Sequence, residues 1–401
     1  MTTAPATEFE PETAAEPRNV FNVSRSLSGR SWRPREFDQR AAEAIAEHHD
    51  LPQVIARILS ARGVAPDDLP QFLTPTLKDL MPDPSALCDM DRAASRIADA
   101  ITGGEKIAVL ADYDVDGAAS AALMTRYLRG LGHDLTVHVP DRITEGYGPN
   151  AEALGRLIDD GASLIVTVDC GIAAASAFAA IRGRADVIVL DHHQAGEVLP
   201  DVAGVVNPNR LDDLAGLEYL AAAGVVFMAL VAVNRELRAR GAFAGATEPD
   251  LVGLLPLVGL ATVCDVVPLT GLNRAFVTQG LRLIQRRDFA GLAALADRAR
   301  LNGPASVYHL GFMLGPRINA GGRIGRSELG YRLLASDETS EVEAIAGELE
   351  RLNAERQAIE AAALDEACEM VEASAGDSVA AGAITVASAN WHPGVVGLVA
   401  A

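Results

Sequence analysis

A chain of 401 residues, 49% hydrophobic but only 4% aromatic, is long enough for two or three domains around a large buried core. It has no uninterrupted apolar run of the roughly 18 to 20 residues that a membrane span needs, and its N-terminus, carrying Glu8, Glu10, Glu12 and Glu16, lacks the regions of a signal peptide, so the cytoplasm is the expected location. The formal charge of −20 opposes the basic surface usual for a nucleic-acid binder, although phosphate contacts are local and bound divalent cations would offset several carboxylates.

Residues 1–17 are mostly Thr, Ala, Pro and Glu without an apolar period and read as a disordered tail. From 18 to 100 the pattern is short helices separated by proline, a helical N-terminal extension. Strand and helix signals then alternate. Ile107–Ala111, Leu135–Val139, Leu164–Val168, Val187–Leu190 and Gly204–Val206 read as strands, with Ala-rich helices starting near Gly117, Asn150 and Ala173. Such alternation predicts an α/β fold with a doubly wound parallel sheet, placed within residues 101–336. From about Ala221 the chain turns helical, and a carboxylate, Asp265, interrupts the apolar segment Ala261–Pro268. Residues 337–376 are dense in Glu, Ala, Leu and Arg and predict one long connecting helix. A last strand signal at Ala383–Ala387 marks 377–401 as the start of a second α/β domain. Cys88, Cys170, Cys264 and Cys368 lack C-x-x-C spacing and are expected to be reduced core thiols.

Three apolar runs stop at residues able to hold a metal: Asp112-Tyr113-Asp114-Val115-Asp116-Gly117, Asp169-Cys170-Gly171 and Asp191-His192-His193. Parallel sheets place their ligands at the carboxyl ends of strands, so five carboxylates and two imidazoles are expected in one cluster. Hydrolysis of a phosphodiester near neutral pH needs a nucleophilic water and a way to neutralise charge on the phosphate and leaving oxygen. Two divalent ions roughly 3.5 to 4 Å apart supply both, and mixed Asp and His donors suit Mn²⁺ or Mg²⁺. Taken singly, an aspartate after a buried strand is as readily a helix N-cap. Tyr113 and Val115 are expected to pack without carrying chemistry.

These motifs, with the Asp265 segment, resemble the four motifs of the DHH phosphoesterase superfamily. More narrowly, Arg142–Gly148, Pro316–Arg323 and Trp391–Gly397 are similar to its single-strand-specific 5′-to-3′ DNA exonucleases. The resemblance implies that Asp112 and Asp114 serve one metal, that Asp116, His192 and Asp265 serve the other, and that Asp169 bridges. It further implies that His193 holds the scissile phosphate while Asp191 supports the pair, and that the catalytic group comprises Asp114, Asp116, Asp169, His192, His193 and Asp265. Arg142, Arg317, Asn319, Arg323 and His392 would contact substrate, with inter-helix salt bridges the plain alternative for the arginines. A monomer acting on single-stranded DNA in repair and recombination is implied, with helicase and single-strand-binding protein as partners. The superfamily also contains small-substrate phosphodiesterases and a non-catalytic replication scaffold. The resemblance implies further C-terminal domains; none follows Ala401, where a serine is expected, so the chain reads as truncated.

Overall fold

The computed structural model describes residue 19 and residues 22–245, 247–374 and 384–400. The expected disordered tail at 1–17 lies outside them. The chain divides between Thr74 and Pro75 into two compact units.

In the first unit, α1 (Gln39–His48), α2 (Gln53–Ser60) and α3 (Leu69–Leu73) close over Ala42, Ile45, Ala56, Leu59, Val64 and Leu69. Asp38 starts α1 by accepting the Arg40 and Ala41 N–H groups, which satisfies donors that a helix leaves unpaired.

The second unit opens with α4 (Leu77–Leu80) and α5 (Met90–Gly103) and continues into five strands. Thus the N-terminal helical stretch is split: α5 buries Met90, Ala93, Ala94 and Ile97 in the core of the sheet domain. The strands are β1 (Ile107–Ala111), β2 (Leu135–His138), β3 (Leu164–Val168), β4 (Asp186–Leu190) and β5 (Gly204–Val206), with α6 (Val115–Gly130), α7 (Ala151–Asp159) and α8 (Ala175–Ala180) between them. All pairs are parallel, in the order β2-β1-β3-β4-β5. β1 and β3 are buried throughout because successive residues serve opposite apolar layers. Val109, Val166 and Ile188 face one layer, and Ala108, Ile165 and Val187 face the other.

This order reverses direction between β1 and β3, and the crevice beyond the carboxyl ends at such a switch point is where open α/β sheets bind ligands. On one layer the chain then adds α9 (Ala222–Ala239), α10 (Leu255–Cys264), α11 (Gly271–Ile284), α12 (Ala290–Arg298), a π-helical turn (His309–Leu314), α13 (Gly315–Ile324) and α14 (Leu329–Ala335). The 36-residue α15 (Thr339–Ser374) follows, roughly 54 Å of helix at 1.5 Å per residue. Its N-terminal half is pinned by Val342, Ile345, Leu349 and Leu352 in the core.

Two expectations are corrected. Residues 384–388 form no strand, since no described neighbour offers the ladder partners that an isolated strand needs; Ala383 lies outside the described residues. Among the described residues after 388, the one regular element is the short α16 (Val396–Val399). Cys170 is buried as expected, whereas Cys368 is exposed on α15.

Candidate metal centre

Each of three aspartates sits one residue beyond a strand, and the sheet ladder itself aligns them. The Asp112 N–H donates to the Val168 carbonyl, Asp169 N–H to Leu190 and Asp191 N–H to Val206, at 3.3, 3.0 and 3.1 Å. Sequence periodicity therefore sets all three side chains in a row along one edge of the sheet.

The β1–α6 turn supplies two further carboxylates. Asp114 caps α6, its Oδ1 accepting the Asp116 and Gly117 N–H groups at 2.8 and 3.0 Å. The capping alternative is thus correct for this residue, and it leaves Oδ2 for another partner. Gly117 matters for close approach: a methyl group there would run into the Asp112 carbonyl. Asp116, 1% exposed, accepts the Ala222 and Ala223 N–H groups at 2.6 and 2.8 Å, the positive end of α9. Beyond β3 the backbone is strained. Asp169 adopts φ 60°, a left-handed conformation unfavourable for most side-chain-bearing residues but tolerated by Asp. Gly171 follows at φ 118°, where a Cβ would stand 2.5 Å from Thr167 Oγ1.

Asp191 is satisfied from all sides. It accepts Ile172, His192 and His193 N–H groups at 3.0, 2.7 and 3.2 Å, and lies 2.8 Å from His193 Nδ1. Burial alone would raise its pKa, but the His193 bond and charge together with backbone donors overcome this and hold it below the ordinary value. His192 Nδ1 lies 3.1 Å from the Leu220 carbonyl. A carbonyl only accepts, so Nδ1 carries the proton and Nε2 presents a lone pair. That Nε2 faces Asp169 Oδ1 at 3.4 Å, Asp265 Oδ2 at 3.6 Å and Asp116 Oδ2 at 3.8 Å. Asp265 comes from the C-cap of α10, far along the chain, and the next residue, Val266, is forced to φ 61°.

The donor atoms fall into overlapping sets, each within 4.8 Å of one another: Asp112, Asp114 and Asp169; Asp116, His192 and Asp265; and Asp169, His192 and His193. Asp112 Oδ1, Asp169 Oδ1, His192 Nε2 and Asp265 Oδ2 are buried without any hydrogen-bond partner. Orphaned atoms of this kind demand an explanation, and four converging here have the donor character of a divalent-cation site. Electrostatics agrees. Burial, and then repulsion from Asp114, pushes Asp112 and Asp265 up to about 7, while burial and neighbouring carboxylates raise Asp116 and Asp169 well above the usual range. Burial lowers His192 and so favours its neutral, ligating form. His193 is raised, chiefly by its hydrogen bond to Asp191, and its half-exposed ring is positioned to meet an anion.

The residues expected to touch substrate divide. Arg142 lies over the Tyr113 ring, 4.8 Å from the centroid, and its charge is felt by Asp112. Tyr113 packs against the core and edge-on against Tyr147, as expected, and in addition supports a guanidinium. Burial, then repulsion from Arg142 and Arg356, lowers Arg323; its Nη1 donates to the Gly394 carbonyl at 3.1 Å. His392 accepts the Gly394 N–H at 3.1 Å, bringing that loop beside Arg323. Arg317 shows the plain alternative: its guanidinium binds Glu350 and the Met313 carbonyl, a bridge between α13 and α15. Asn319 Oδ1 accepts the Val115 N–H at 3.1 Å, so it fixes the turn that carries Asp114 and Asp116. Tyr147 was missed as a site residue; its hydroxyl donates to the Asp169 carbonyl at 3.3 Å and lies 3.5 Å from His193 Nε2.

Residues 106–254 match the DHH family, N-terminal domain. The chain is 37% identical to the single-stranded-DNA-specific exonuclease RecJ of Bacillus subtilis, over 92% of this chain and 45% of that protein. It is also 37% identical to the RecJ of Salmonella typhimurium, over 91% of this chain and 64% of that one. The crystal structure of exonuclease RecJ bound to manganese superposes with a TM-score of 0.69 at 35% identity, covering 78% of this chain and 76% of that one. The chain belongs to the RecJ family. RecJ of Thermus thermophilus in complex with Mn²⁺ gives a TM-score of 0.75 at 31% identity, over 90% of this chain and 50% of that one. This RecJ-family chain spans about half the length of the curated relatives it matches. None of its described helices is long and apolar enough to cross a membrane.

Proposed function

We propose that this chain carries the catalytic core of a metal-dependent exonuclease that hydrolyses single-stranded DNA from the 5′ end, in the cytoplasm, during repair and recombination. The supporting observation is the pair of carboxylate-rich donor sets joined at Asp169, with four buried atoms lacking any protein partner. In this reading Asp112, Asp114 and Asp169 hold one Mn²⁺ or Mg²⁺ ion, and Asp116, His192 and Asp265 the other. When bound, such ions activate the attacking water and neutralise charge on the phosphate and the leaving oxygen.

The remaining residues orient the strand. His193, whose protonated form the bond to Asp191 favours, donates from Nε2 to a phosphate oxygen, a bond that is stronger when the ring is charged. Arg142 and Arg323 repel each other when no anion lies between them; a phosphate placed there removes the repulsion. Tyr147 restrains both the Asp169 backbone and the His193 ring. Asp191 acts as a positioning residue. Helicase and single-strand-binding partners, and a monomeric state, complete the proposal.

The test uses a 5′-phosphorylated single strand and the same strand in a blunt duplex. The chain with Mn²⁺ should release mononucleotides from the 5′ end of the single strand only, and Asp169→Ala should lower the rate by at least about 10³-fold. Near-normal hydrolysis by Asp169→Ala would refute the assignment.

A further inference from the structure

The chain has few aromatic residues, and their placement is uneven. Among the described residues of the second unit, the exposed rings are Tyr147 at 57%, Tyr308 at 61% and Phe312 at 72%. Tyr147 lies at the metal centre. The other two form a pair, with ring centroids 5.2 Å apart and planes within 22° of parallel. They sit at the π-helical turn His309–Leu314, a rare winding that occurs mostly as single turns within α-helices and is frequent at functional sites. The turn leaves both rings facing solvent, where they lose the burial that aromatic side chains normally gain.

The turn is locked to the end of α10, where Asp265 is the C-cap. Cys264 Sγ donates to the Leu310 carbonyl at 3.5 Å, and Cys264 directly precedes Asp265. A methyl group on Gly311 would stand 3.3 Å from Val263, and one on Gly315 would stand 2.6 Å from Cys264 Sγ, so the turn lies against the end of α10 with no room to spare. The aromatic pair is therefore carried by a turn that packs on the end of α10, the helix whose C-cap is Asp265.

We infer that Tyr308 and Phe312 form a stacking platform for bases of the single strand as it passes the Asp265 side of the metal centre. This rests on the nuclease reading. Stacking suits this chain because it needs no positive field: the net charge is −20, whereas a ring face attracts any base whatever the backbone charge. It also discriminates. Bases in a duplex are already stacked on their neighbours, so only an unpaired strand gains by laying a base on the pair. Ring faces present no hydrogen-bond pattern to read, so the grip is tolerant of sequence.

The test compares the chain with its Tyr308→Ala/Phe312→Ala double variant in Mn²⁺, using a mixed-sequence single strand and thymidine 5′-(p-nitrophenyl phosphate), a diester without further bases. The double variant should bind the strand roughly 5- to 150-fold more weakly and turn over the small diester at the wild-type rate. Restoring one ring as Phe312→Trp in the Tyr308→Ala background should recover strand affinity, and a strand with abasic residues beyond its end should be insensitive to all of these changes. Unchanged strand affinity in the double variant would overturn the inference. So would an equal loss on the small diester, which would make the pair a prop for Asp265, or loss of self-association at constant strand affinity, which would make it a protein contact. A wild-type chain that cleaves neither substrate instead defeats the nuclease reading.

Discussion

The ends of β3 and β4 carry the same residue in the same register, Asp169 and Asp191, both essentially buried, yet they are chemically opposite. Asp191 has four hydrogen-bond contacts from protein groups and its pKa is held low. Asp169 has an oxygen with no partner, a strained backbone and a pKa driven up by burial and by Asp116. A buried carboxylate at a strand end is therefore not in itself a site. What separates framework from function is whether its lone pairs are already spoken for.

Isosteric substitutions should break this comparison in opposite directions. In the metal-free chain, Asp191→Asn puts an NH2 donor in place of one of the two oxygens that together accept three backbone N–H groups and the His193 ring, and should cost on the order of 3 kcal/mol. Asp169→Asn removes one of several mutually repelling charges and keeps a residue that tolerates positive φ, so it should raise the melting temperature. Denaturation with chelator present checks both, and destabilisation by both would show that Asp169 is also framework.

Titration sharpens the same contrast. Asp112 and Asp265 titrate near 7 in the folded chain, against about 3.9 when unfolded. Between these values the folded chain holds protons that the unfolded chain has lost, so the stability of the metal-free protein should fall as pH rises from about 4 to about 7. Added Mn²⁺ should stabilise most at the upper end, where the donors are free of protons. Melting curves across this range, with and without Mn²⁺, provide the check; a metal-free protein growing steadily more stable over the window would contradict the assigned shifts.

The smallest effect concerns support of the turn. Asn319→Ala frees the Val115 N–H and should lower turnover roughly 10-fold with little change in strand affinity, read as kcat against KM. A pure loss of affinity would return Asn319 to the substrate-contact role that its sequence motif suggested.

Much of this was legible in the sequence because the signals are local. The apolar runs ending in Asp112, Asp169 and Asp191 specify buried parallel strands, and one residue of overhang puts each carboxylate at the carboxyl edge. The order of the strands was not legible, since no local pattern tells β3 to lie beside β1. Long-range pairings were equally hidden. Glu350 claims Arg317 across 33 residues, and Asn319 reaches the Val115 backbone across 204; Arg317 and Asn319 read as ordinary polar residues until the helices pack. Tyr113 looked like filler because cation–π support depends on where Arg142 returns. The Ala383–Ala387 signal is the converse case: local β propensity without a neighbouring strand among the described residues leaves 384–388 outside any sheet.

The central claim is that Asp169 stands between two cation sites. An anomalous-scattering map from crystals of this chain soaked in Mn²⁺ tests it directly. Two peaks should flank Asp169, one also contacting Asp112 and Asp114 and the other Asp116, His192 and Asp265. Full-occupancy density elsewhere with none beside Asp169 would contradict it.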